Sequence, residues 1–334
     1  MLPSGAALWH TWAMLCRRVT ILSAVSAFFA MPVQGQDAFA GFVNGMKAEA
    51  RRAGIGEATL QQAFTGVQPN QHVIELDRRQ PEFTLTWPEY RARMLPDSRM
   101  QAAQENYARE RSLLAQVGQR FGVDPLIIMG IWGIESAFGA NKGNYRLIEA
   151  LSTLAWDGRR GAYYRGELLN ALRILDQGDV TPARLTGGYA GAMGQPQFMP
   201  SSYLRYAVDF DGDGRRDIWD DKADVFGSIA NYLAQNGWRR GEPWGQPVRL
   251  PPGFDGAAAG RDRRRSLADW MRAGVLPEDG HEFGRPETLG AVVAPDGAAA
   301  GEGFMTYPNF NVIRRYNPSD FYALAVGLLG EAAA

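Results

Sequence analysis

The sequence predicts a mainly α-helical protein of the α+β class. Three observations carry this. Residues 124–139, DPLIIMGIWGIESAFG, are apolar all around, which predicts a buried helix. Apolar residues recur at helical spacing over most of the remaining chain. Residues 241–307 are instead rich in Pro and Gly with short extended runs, which predicts a small β-rich section.

Arg17 and Arg18 precede an apolar run at 19–31. The run is too short for a typical membrane span and is built like a secretory signal. Val33 and Gly35 suit cleavage before Gln36, so residues 1–35 are expected to be removed, and Met14 offers a second start. The single cysteine, Cys16, would leave with the signal. The mature chain would then hold no disulfide, thiolate nucleophile or cysteine metal site, and no lipid-attachment cysteine. A soluble, exported, periplasmic protein is expected.

Residues 37–53 place Phe39, Phe42, Val43, Met46 and Ala50 on one helical face, closed by Gly54. A short helix is expected at 57–66, and mixed helix and loop at 70–97. Residues 98–118 form a long helix leading to the central one. There Asp124 suits the N-cap and Pro125 the first turn, with Gly139 as the exit. Helices follow near 145–156 and 161–176. Residues 186–202, TGGYAGAMGQPQFMPSS, have few charges for a surface loop and read as cleft lining. Residues 222–235 return to helix. Runs at 248–250 and 291–294 are strand candidates, with a short helix near 266–273. Residues 317–330 form a last helix with Ser319 as N-cap. The expected divisions are a signal at 1–35, a helical N-terminal part at 36–110, a core at 111–240, a β-rich section at 241–307 and a returning C-terminal helix at 308–334.

One ionisable side chain, Glu135, lies in the apolar helix beside Ile131 and Trp132. Burial and the negative end of the helix dipole both raise its pKa, as a general acid requires. The same residues fit a structural carboxylate bonded to backbone or to an arginine equally well.

Residues 209–220, DFDGDGRRDIWD, have the spacing of an EF-hand calcium loop. Asp209, Asp211 and Asp213 fall at positions 1, 3 and 5, and Gly214 at the turn. Arg215 would offer its carbonyl at 7, with Asp217 at 9 and Asp220 at 12. Asp220 stands where glutamate is usual, one methylene short for bidentate binding. Without a cation these carboxylates would repel one another, so a structural Ca2+ is expected.

The net charge of −1 gives no electrostatic reason for nucleic acid. The basic run 261–265, broken by Asp262, reads as a solvated face in preference to an anion site. His10, His72 and His281 are too scattered for zinc. Nucleophile-elbow, phosphate-loop and dinucleotide patterns are absent from the sequence. Aromatics such as Tyr163, Tyr164, Tyr189 and Tyr232 serve a core, yet beside a lone protonatable Glu they fit a sugar cleft.

GIWGIESAFG (130–139), GGYAGAMGQPQFMPSSYLRYAVDFDGDGRRDIWD (187–220), SIANYLAQNGW (228–238) and YPNFNVIRRYNPSDFYALAV (307–326) resemble the lytic murein transglycosylase B family, over about residues 37–331. The resemblance implies a lysozyme-like helical core holding Glu135 and the calcium loop. It implies cleavage of the β-1,4 bond between N-acetylmuramic acid and N-acetylglucosamine in peptidoglycan, with no water consumed. Glu135 would act first as acid and then as base, while the muramic C6 hydroxyl attacks C1 to give a 1,6-anhydro sugar. This departs from the two-carboxylate plan of most glycosidases.

The resemblance also implies that Gln197 contacts the sugar and that Tyr90, Arg160, Tyr232, Tyr316, Asn317 and Tyr322 line the cleft. Asn317 fits a helix cap as well. Arg159 and Arg160 fit a contact to the peptide or lactyl carboxylate, and either fits a surface pair. Gly188 and Asp211 each stand where the best-known member has serine. A muramidase of the same fold, a non-catalytic wall-binding protein and a calcium-responsive regulator are the rival functions. Peptidoglycan strands are the expected partner of a monomer, with wall-synthesis or division proteins as further partners.

Overall fold

The computed structural model of the chain describes residues 33–79 and 85–334. The expected signal lies outside these residues except for 33–35. Among the described residues, the first half runs α1 (Val33–Arg52), α2 (Glu57–Ala63), α3 (Gln71–Arg78), α4 (Trp87–Met94), α5 (Asp97–Phe121), α6 (Pro125–Ser136), β1 (Tyr145–Arg146), α7 (Leu147–Asp157) and α8 (Gly161–Gln177). The second half runs β2 (Thr186–Gly187), α9 (Pro200–Tyr206), α10 (Lys222–Gln235), β3 (Gly245–Arg249), β4 (Arg265–Ser266), α11 (Leu267–Arg272), β5 (Leu276–Pro277), β6 (Leu289–Val293), β7 (Glu302–Thr306), α12 (Pro308–Tyr316) and α13 (Asp320–Ala332). The mainly helical class with a small sheet is as expected. α5 runs unbroken across the boundary drawn at 110.

Three apolar clusters organise the described residues. One joins α1, α2, α3, α7, α8 and α9. A second joins α5, α6, α10, α12 and α13, with Trp87 of α4. Tyr232 and Tyr316 pack against both and so mark the seam between them. The third cluster, with Leu267, Trp270, Val292 and Met305, belongs to an antiparallel sheet of order β4-β6-β7-β3-β5. The β1–β2 pair, registered Tyr145↔Gly187, fastens the start of the Gly-rich segment to the helical body.

Two boundaries differ from expectation for visible reasons. α6 ends at Ser136, not at Gly139. Ala137 and Phe138 turn the backbone left-handed (φ 48° and 59°). The Ser136 hydroxyl donates to the Trp132 carbonyl and accepts from the Gly139 N–H, each at 3.1 Å. The Phe138 ring then packs edge-on against Trp132, centroids 5.4 Å apart. The C-terminal helix is two helices, α12 and α13. Pro318 forces the preceding Asn317 into extended backbone (φ −143°, ψ 126°), and Ser319 caps the restart by accepting from the Tyr322 N–H.

α6 and α13 approach backbone to backbone at two glycines. A Cβ on Gly130 would lie 2.2 Å from the Val326 carbonyl oxygen, and one on Gly330 would lie 2.4 Å from that of Leu126. Only glycine permits this approach.

Candidate active site

Glu135 sits in the last turn of α6, and Tyr322 in the first turn of α13. The Tyr322 hydroxyl donates a 2.6 Å hydrogen bond to Glu135 Oε1. Part of Glu135 faces solvent, while its carboxyl is crowded by protein. This burial pushes its pKa up to about 7, and the Tyr322 bond works in the opposite direction. Among the described residues, no neighbouring carboxylate contributes to that shift. Burial, then the Glu135 charge, raises the Tyr316 and Tyr322 phenols well above the usual tyrosine range. The same two causes push Tyr90 up to about 12. All three therefore remain hydrogen-bond donors at neutral pH.

Gln197 stands on left-handed backbone (φ 53°) in the loop that Tyr316 holds. Its Nε2 donates to the Gly194 carbonyl at 2.7 Å and the Lys142 carbonyl at 3.5 Å. Its Oε1 lies 3.9 Å from where a Cβ on Gly188 would stand. The Tyr316 hydroxyl donates to the Pro196 carbonyl at 2.6 Å, tying α12 to this loop. Tyr232 donates to the Arg315 carbonyl, with its ring 4.7 Å from that of Tyr316. The structure thus groups Glu135, Tyr322, Tyr316, Tyr232, Tyr90 and the Gln197 loop.

Asn317 and Arg160 stand apart from these contacts. Asn317 accepts from the Ser319 N–H at 3.2 Å, bracing the entry to α13. Arg160 lies over the Tyr163 and Tyr164 rings, at 4.7 and 5.4 Å. Arg159 bonds the buried Asp77 at 2.6 Å.

Gln195 belongs to no chemical motif legible in the sequence. It is buried, accepts from Trp132 Nε1 at 2.6 Å and donates to the Trp219 carbonyl at 2.8 Å. It therefore links the helix of Glu135 to the end of the acidic loop. A polar residue in a stretch poor in charge was the available signal. Which of Gln195 and Gln197 turns inward depends on the fold of that loop.

The acidic loop brings three of its aspartates together with Asp224 of α10. Carboxylate oxygens of Asp209, Asp211, Asp213 and Asp224 lie within 4.8 Å of one another. Asp217 and Asp220 lie outside this group. Arg184 holds both, at 3.0 Å from Asp217, and Lys142 holds Asp220 at 2.6 Å. Asp224 arrives from α10, accepting from the Phe210 and Asp217 N–H groups at 2.7 Å each. Burial pushes it up to about 6, opposed by those bonds and assisted by Asp221 and Asp211. Backbone N–H groups of Gly212 and Gly214 orient Asp209, and Arg215 stays within the loop, donating its N–H to Asp213 at 2.8 Å. Four hard oxygen donors with mutual repulsion fit a divalent cation.

Residues 38–331 match the transglycosylase SLT domain. The chain belongs to this family. Its transglycosylase SLT relatives include SltB3 of Pseudomonas aeruginosa, whose crystal structure in complex with NAG-anhNAM-pentapeptide is 41% identical with a TM-score of 0.84, over 88% of this chain and 79% of that one. Slt35 of Escherichia coli, solved in complex with calcium, is 32% identical with a TM-score of 0.72, over 89% and 93%. The membrane-bound lytic murein transglycosylase B of Escherichia coli K12 is 36% identical over 254 residues, 74% of this chain and 67% of that protein. Within the family's fold, the lysozyme-like helical body places Glu135 at the seam of the two helical clusters.

Proposed function

We propose that this chain is a peptidoglycan lytic transglycosylase in which Glu135 serves as acid and then base. The observation that carries the role of Glu135 is its isolation from other carboxylates, with one hydrogen bond from Tyr322 and a pKa raised to about 7. Such a group holds a proton near neutral pH and becomes a usable base once it has lost it.

In the first step, Glu135 delivers its proton to the glycosidic oxygen and the bond to the muramic C1 breaks. The new carboxylate is stabilised by the Tyr322 hydroxyl. In the second step it takes the proton from the muramic C6 hydroxyl as that oxygen bonds C1. The proton is returned and no water enters. Gln197, Tyr90, Tyr232 and Tyr316 position the sugars, and Arg160 and Asn317 contribute at the margins of the cleft. Tyr316 also holds the Gln197 loop through Pro196.

Asp209, Asp211, Asp213 and Asp224 would hold a structural Ca2+ that orders the loop leading into α10. The reading includes export to the periplasm behind the 1–35 signal, a monomeric state and the divisions expected from sequence, with the wall's glycan strands as partner and synthesis or division proteins as further ones. Among the described residues no helix is long and apolar enough to cross a membrane.

The test is mass spectrometry of muropeptides released from sacculi by wild type and by Glu135→Gln. Anhydro-muramic products from wild type alone support the proposal. Products one water heavier assign a muramidase. Binding without release by either protein assigns a wall-binding protein.

A further inference from the structure

A cavity of about 730 Å3 opens between the sheet and the segment that follows α10, and none of the cleft residues above lines it. Two parts of its lining are fixed by hydrogen bonds. Arg239 and Glu242 belong to a turn locked by the fully buried Asn309, which accepts from the Arg239 N–H at 2.8 Å. The Asn309 amide donates to the carbonyls of Arg239 at 2.9 Å and Glu242 at 2.7 Å. The loop carrying Arg285 is tied to the start of α11, where the Leu267 and Ala268 N–H groups donate to the Thr288 and Pro286 carbonyls. Arg264 enters the lining just before β4.

The charges in the lining do not cancel. Glu242 is met by Arg239 at 3.5 Å. Among the described residues, the side chains of Arg264 and Arg285 have no carboxylate partner. Beside them lie the buried Phe283 and Leu289, the latter 57% exposed. Uncancelled guanidinium groups next to exposed apolar surface suit a carboxylate that carries a small apolar side chain. The volume suits a ligand of a few residues.

We propose that this cavity is a second site for the wall, taking a stem peptide by its free C-terminal carboxylate. The proposal rests on the peptidoglycan reading above for the identity of the peptide. Arg264 and Arg285 would fork onto the carboxylate, while Leu289 and Phe283 cover the terminal side chain. A strand held here and in the cleft gains effective concentration at Glu135 without a new contact at the reacting bond. The basic run that reads as a solvated face in the sequence thus contributes Arg264 to a binding site.

The experiment titrates the mature protein with a free stem pentapeptide, which offers no glycosidic bond. Wild type should bind it saturably. Binding should weaken at least about tenfold, roughly one charge-assisted contact, in the Arg264→Ala/Arg285→Ala variant and for a peptide ending in a carboxamide. Both arginines are exposed, so equal melting temperatures verify folding. Turnover of a peptide-free glycan oligomer should be unchanged in the double variant, while cleavage of sacculi slows several-fold. No binding by wild type, equal binding by the double variant, or equal binding of the carboxamide overturns the proposal. Loss of the transglycosylase reading would show separately, as absence of anhydro products from the peptide-free oligomer.

Discussion

The Tyr322 hydroxyl meets Glu135 Oε1 at 2.6 Å across two helices that touch at Gly130 and Gly330. The bond favours the ionised carboxyl and burial disfavours it. The balance leaves a group able to give up its proton and to take one back.

Wild-type turnover should therefore fall as pH rises through about 7, where Glu135 loses the proton required for the first step. Tyr322→Phe removes the bond that lowers the pKa, so this alkaline limb should move to higher pH. Turnover should drop about tenfold, in line with one hydrogen bond to a charged group. The rate profile on solubilised glycan strands decides it, and a limb that stays in place would remove Tyr322 from the tuning of Glu135.

Stability should respond with a definite sign. The folded carboxyl titrates near 7 and an ordinary glutamate near 4.5. Between these values the native state binds more protons than the unfolded state, so stability falls as pH rises, and the cost is complete above about 7. Glu135→Gln should accordingly melt higher than wild type at pH 8, by about 1–3 kcal/mol, with no such advantage below pH 4.5. Equal differences at both pH values would show that the glutamate is not held at raised pKa.

Calcium should raise the melting temperature. At a hundred times its dissociation constant a ligand specific to the native state adds about 2.7 kcal/mol. Asp224→Asn should lose most of the calcium response and Asp220→Asn should keep it. The reverse order would restore the ligand set counted from sequence.

Gln195→Leu should cost about 2–4 kcal/mol, because it strands the Trp132 indole N–H and the Trp219 carbonyl in the interior. The shift of the urea midpoint at unchanged slope measures this. A change under about 0.5 kcal/mol would show that the bridge is not holding the loop to α6.

Gly130→Ala places a methyl group 2.2 Å from the Val326 carbonyl oxygen and should destabilise by about 1–3 kcal/mol. It should also part Tyr322 from Glu135. In a Tyr322→Phe background it should then move the pH limb no further, since the coupling is already absent. An additive shift would mean that Gly130 acts on the site by another route.

The sequence by itself determined the elements whose signals are local. Asp124, Pro125 and the apolar run 126–134 announce α6 and the burial of the Glu135 carboxyl. The alternation of aspartates at 209, 211 and 213 announces an acidic cluster, and Ser319 the start of α13. Only the tertiary structure decided what depends on residues far apart in the chain. It ended α6 at Ser136 through bonds to Trp132 and Gly139. It brought Asp224 of α10 beside Asp209, Asp211 and Asp213, and Arg184 and Lys142 to Asp217 and Asp220. It placed Tyr322, 187 residues along the chain, on Glu135. Helical periodicity records which face is buried but not the partner it meets, and a carboxyl's acidity is set by that partner.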